Sequence, residues 1–112
     1  MRRTVRAVST AAVAAALCGV ATLAGAQDAA ALRARSLVAT CAACHGTEGR
    51  TAPTAAVPGL SGMPAAYLVE QMKAFKSGAR TGTVMPQLAK GYSDAQIELL
   101  AETLAKAGAA KP

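Results

Sequence analysis

Five consecutive residues, Cys41-Ala42-Ala43-Cys44-His45, constrain this chain more than anything else in it. Two thiols three positions apart fall on one helical turn, and the next residue adds an imidazole. A disulfide across that spacing would close a tiny loop and stabilise little. A thiol redox site of the same spacing belongs in a strand–helix setting, and no strand pattern occurs here. Structural zinc needs four ligands, whereas His45 is the only histidine and Cys18 the only other cysteine. What the spacing does suit is a porphyrin. Each thiol can add to a vinyl group of one ring while the imidazole places a nitrogen beneath the iron. The run therefore reads as covalent c-type haem attachment through Cys41 and Cys44, with His45 on the iron.

The start of the chain reads as a leader. Arg2, Arg3 and Arg6 give a basic beginning, Ala7 to Leu23 is almost free of charge, and Ala24-Gly25-Ala26 has the small-x-small form of a cleavage site. The expectation is an export signal over residues 1–26 and a single domain over 27–112, delivered to the periplasm. The apolar run is alanine-rich and short beside the roughly 20 residues that span a bilayer, so no membrane span is expected after cleavage. Cys18 follows Leu17, with Ala15 three back, which is not a lipoprotein pattern. Arg2-Arg3 is read as an ordinary basic start rather than twin-arginine export, because c-type haem is attached after export. The whole chain carries +6, and three of its arginines lie in the leader, so the remainder is +3. Two haem propionates would bring that to about +1, which excludes a nucleic-acid-binding surface.

Three helical stretches follow, and the expected fold class is all-α. The first runs from about Ala29 to Cys44, with Asp28 as N-cap and Ala34, Leu37, Val38 and Cys41 on one face. The second starts near Pro64 and ends near Ser77-Gly78, with Leu68, Met72 and Phe75 as its stripe. The third has a capping box in Ser93 and Gln96, Asp94 at its positive end, a stripe of Ile97, Leu100, Ala101 and Leu104, and Gly108 at its exit. Gly46 to Gly62 and Gly78 to Gly91 read as long loops. With no Trp, one Phe and two Tyr, a domain this small is short of core, and a bound apolar disc would supply it.

Two further contacts to the haem can be sought. The other nitrogen of His45 needs an acceptor to orient the ring, and the carbonyl of Pro58, in Val57-Pro58-Gly59-Leu60, is the candidate. The sixth iron position suits a methionine. Met72 lies on a helical stripe and reads as core. Met63 and Met85 are both followed by Pro, so the dipeptide does not separate them. Position favours Met85, which lies 40 residues after His45 in the second long loop, against 18 for Met63 just before a helix. Arg80 and Lys90 are candidate partners for a propionate.

These features resemble the class I cytochromes c: Cys41-Ala42-Ala43-Cys44-His45-Gly46, the Pro58-Gly59-Leu60 turn, Met85-Pro86 and the capped last helix. The resemblance implies three main helices packed around one covalent haem. It also implies Met85 as the distal ligand and a proline carbonyl accepting from the proximal histidine. Ala66 to Arg80 and Thr83 to Ser93 are similar to one branch, the dihaem periplasmic cytochromes and the cytochrome subunit of sulfide-oxidising flavocytochrome c. A single haem motif fits the latter's shorter form. That likeness implies an electron-transfer protein with no catalytic residue of its own, working with redox partners that include a flavoprotein subunit. A free electron shuttle and, further off, a small-ligand sensor are the alternatives. Two departures stand out: Thr103 falls where the family usually has an aromatic, and Ala34-Arg35 where many members have Gly. A looser crossing of the first and last helices is expected from them.

Overall fold

Ser93 and Gln96 begin the helix α5 (Asp94–Ala107) in the computed structural model, which describes residues 25–109. The Gln96 amide donates to Ser93 Oγ (3.2 Å) and the Ser93 amide to Gln96 Oε1 (2.8 Å), so two otherwise orphaned helix-start donors are satisfied. Ile97, Leu100, Ala101 and Leu104 are all buried along one face, the spacing of a helix laid against a core. The expected leader over 1–26, with Cys18, lies outside the described residues apart from its last two positions.

The chain divides into two units, 1–33 and 34–112. Of the first, the described residues 25–33 are helical and exposed. Asp28 therefore sits within a helical run rather than capping its start, because Gly25-Ala26-Gln27 ahead of it is already helical.

In the second unit, residues 34–39 form α1. The helix expected to reach Cys44 in one piece stops there and resumes as a short turn, α2 (Ala42–His45). Thr40 explains the break. Its hydroxyl donates to the Leu37 carbonyl (2.7 Å), which its own amide also uses (3.3 Å), and the Cys41 amide bonds Val38 at 3.0 Å, three residues back instead of four. Such local side-chain bonding competes with the α-helical ladder. After α2 come a 3-10 turn (Thr47–Gly49), then α3 (Ala65–Ser77), α4 (Met85–Lys90) and α5. No strand occurs among the described residues, and the all-α expectation holds. Pro64 is the N-cap of α3, extended at ψ 130°, so the helix starts one residue later than expected.

The helix α4 replaces part of an expected loop. Pro86 within its first turn and Gly91 at its exit are the marks of a short helix. α3 packs against both α4 and α5. Two apolar clusters result. Val38, Leu68, Leu100, Ala101 and Leu104 form one, joining α1, α3 and α5. Met72, Ala89 and Ile97 form the other, joining α3, α4 and α5, and Val69 and Tyr92 touch both. Thr103 stays outside the first cluster and turns its hydroxyl back to the Leu99 carbonyl (2.7 Å).

Two glycines are required by geometry. Gly108 ends α5 with an ordinary right-handed conformation, φ −71°, so it is not the left-handed exit that a helix-ending Gly suggests. A Cβ there would lie 2.2 Å from Gly62 Cα, and close backbone approach is the reason for glycine. Gly46 follows His45 at φ 77°, ψ 163°, a region that only glycine populates readily. A Cβ on it would stand 2.1 Å from the Arg50 carbonyl oxygen. Gly46→Ala should cost about 1–3 kcal/mol from backbone strain alone, with the clash added. A thermal melt should show the midpoint falling by about 5–10 °C or more, and an unchanged midpoint would mean that the turn simply moves.

Candidate functional site

His45 ends α2 and is the one buried polar side chain among the described residues. Its Nδ1 lies 2.7 Å from the Pro58 carbonyl oxygen. A carbonyl only accepts, so Nδ1 carries the proton and the lone pair is left on Nε2. The loop that delivers Pro58 is pinched at its base. The Gly49 carbonyl accepts from the amides of Leu60 (2.8 Å) and Ser61 (3.2 Å), which closes residues 50–59 into a hairpin-like excursion. Arg50 Nη2 then donates to the Ala107 carbonyl (2.6 Å), tying the excursion to the end of α5.

Cys41 is half-buried, Cys44 is exposed, and no disulfide joins them. They line, with His45, a cavity of about 500 Å³, in the range of sites that hold a sizeable organic ligand. Pro58, Arg80 and Met85 line it as well, so the structure brings six of the seven sequence-derived candidates to one place. Lys90 does not line it and is exposed. Met63 and Met72 also face the cavity, Met72 buried in the second cluster and Met63 packed on the first. Met85 opens α4 and is half-buried against the second cluster.

The wall fits a large apolar disc. Val57, Tyr67, Val84 and Leu88 are the exposed large hydrophobics of the second unit's described residues, and all four line this cavity. Apolar groups left open around one hollow are what a missing apolar partner would cover. The donor set agrees: two thiols on one turn, an imidazole nitrogen held by its tautomer, and thioether sulfurs elsewhere on the wall. Among the described residues no cluster of His, Cys, Asp and Glu could hold a bare metal ion.

Arg80 is held at the edge of the cavity. Its Nη1 donates to Gln71 Oε1 (2.5 Å), and its guanidinium stands 4.5 Å over the Phe75 ring. The two lysines of α3 are engaged: Lys73 with Glu98 (3.4 Å) and Lys76 with Asp94 (2.8 Å). The hydrogen bond from Lys76 holds the Asp94 carboxyl below the ordinary carboxylate range. A lowered carboxyl stabilises the fold above its ordinary pKa and loses that contribution as pH falls through the lowered value. Since Asp94 is exposed, water screens the effect. Sequence reading missed Tyr92, Gln71 and Tyr67 on the wall. Tyr92 carried a usable signal, standing just before a capping box where a staple residue packs on the helix.

The family model described as Cytochrome c matches residues 31–107. The thiosulfate dehydrogenase electron acceptor of Thiomonas intermedia is 44% identical over 68 residues, 61% of this chain and 31% of that protein. The cytochrome subunit of sulfide dehydrogenase from Chlorobaculum tepidum is 40% identical over 70 residues, 62% of each chain. Cytochrome c-554(548) of Halomonas halodenitrificans is 42% identical over 64 residues, 54% of this chain and 75% of the relative. The match thus spans less than two thirds of the first two relatives. No helix of the described residues is long and apolar enough to cross a membrane.

Proposed function

The chain belongs to the cytochrome c family, an electron carrier with one covalent haem c, and we propose that it serves a sulfide-oxidising flavoprotein dehydrogenase as its haem subunit. Bound haem supplies a one-electron couple at its iron. Cys41 and Cys44 hold the group through thioether bonds. His45 would hold the iron through its Nε2 lone pair, with the Pro58 carbonyl fixing the ring. Met85 would hold the iron through its thioether, which would favour the reduced state and raise the potential. Arg80 would pair with the cofactor's carboxylates, and the apolar wall would keep water from the centre. The chain makes and breaks no substrate bonds, and its place of work is the periplasm.

The observation that carries the electron-carrier reading is the convergence of Cys41, Cys44, His45 and Met85 on one cavity. The likeness to the C. tepidum cytochrome subunit of sulfide dehydrogenase supports a sulfide dehydrogenase as the partner. A second reading rests on the T. intermedia relative: a diffusing acceptor that meets a dehydrogenase only briefly, through an interface of about 1,200 Å² or less. Pull-down of tagged, haem-loaded protein from periplasmic extract separates the two. Stoichiometric flavin absorbance with haem reduction on adding sulfide is expected for the subunit. A lone cytochrome that sulfide does not reduce enzymatically favours the shuttle.

A further inference from the structure

Fifty-two positions separate Thr40 from Tyr92, yet Thr40 Oγ1 and Tyr92 Oη lie 2.5 Å apart. Thr40 uses its proton on the Leu37 carbonyl (2.7 Å), so the phenol donates and Thr40 accepts. Thr40 directly precedes Cys41, with its Oγ1 3.8 Å from Cys41 Sγ. Tyr92 follows the short helix α4 that Met85 opens, and its amide bonds back to Ala89 of that helix (3.2 Å). Lys76 of α3 donates to the Tyr92 carbonyl (2.8 Å), so the far end of α4 is held at ring, amide and carbonyl. Both Thr40 and Tyr92 line the cavity.

We infer that the Tyr92–Thr40 hydrogen bond is a latch that positions the methionine side of the cavity against the cysteine side, keeping the Met85 thioether seated. This rests on the reading of Met85 as an axial ligand. α4 has only six residues and too few internal hydrogen bonds to hold its place alone. Tyr92 packs on the second apolar cluster through its ring, which phenylalanine would keep. The hydroxyl is what crosses to the attachment turn. Tyr92 touches none of the reacting atoms in this scheme and acts as a positioning residue.

The test is the rate at which imidazole binds the ferric, haem-loaded protein, because an external ligand enters only as fast as the seated one leaves. Tyr92→Phe and Thr40→Val should each speed imidazole binding about three- to ten-fold, the range set by one neutral hydrogen bond. The double variant should go no further than either single, since both remove the same bond. Thr40→Ser, which keeps the hydroxyl, should bind at the parent rate. Met85→Ala is the reference for a vacated position and should bind fastest. Parent rates in Tyr92→Phe and Thr40→Val beside a fast Met85→Ala would overturn the latch alone. A Met85→Ala no faster than the parent would overturn Met85 ligation and the latch with it. Additive singles would also overturn the latch.

Discussion

His45→Ala should leave no stable haem-loaded protein. The substitution removes the one imidazole nitrogen offered to the iron, and no second histidine exists to replace it. It also strips the Pro58 carbonyl of its donor, at a cost of about 1–3 kcal/mol if that oxygen is left buried and unpaired. Expression with the attachment machinery, followed by haem staining and absorbance, is the check. Wild-type yield with an unshifted spectrum would remove His45 from the iron. The loss should exceed that of Pro58→Ala, because alanine keeps a backbone carbonyl at that position.

Met85→Ala should have a different signature, with the cofactor retained and its electronics changed. Cys41, Cys44 and His45 are untouched, so haem should stay attached. The spectrum should turn high-spin, and the potential should fall on the order of 0.2 V, a fraction of the ~0.8 V over which axial ligands tune haem. Spectroelectrochemistry on parent and variant measures both. An unchanged spectrum would send the assignment to Met63, which also faces the cavity and is likewise followed by proline. Potential and spin state should move together, since both report the same bond.

The capped helix α5 was legible because every signal for it is local: Ser93, Gln96 and four apolar residues at helical spacing all lie within 12 consecutive positions. The attachment run was legible because its chemistry is written in adjacent residues. The break at Thr40 was not, since a threonine hydroxyl can point to solvent or to the chain, and only packing decides which. α4 was missed because a six-residue segment with proline next to its start has the character of a loop until α3 is laid beside it. The reason for Gly108 was misread for a related cause. Its partner Gly62 is 46 residues away, and sequence alone offers the commoner explanation, a left-handed helix exit. The Tyr92–Thr40 bond is a purely tertiary fact. Nothing near either residue announces the other.

The small apolar core has a consequence for how this molecule survives. Two small clusters flank the cavity, and the described core has only nine buried apolar residues, so brief unfolding excursions are to be expected of it. Cys41 and Cys44 belong to neither cluster. They sit on the short turn α2 and the residue before it. With haem bonded to Cys41 and Cys44 as proposed, a chain whose clusters come apart would still carry it, and each return to the closed form would start with the disc tethered at an effective concentration of about millimolar. Dilution, the usual fate of a dissociating cofactor, never enters. Under that assignment the bonds at Cys41 and Cys44 would act as a memory, so that one act of maturation would serve for every later refolding.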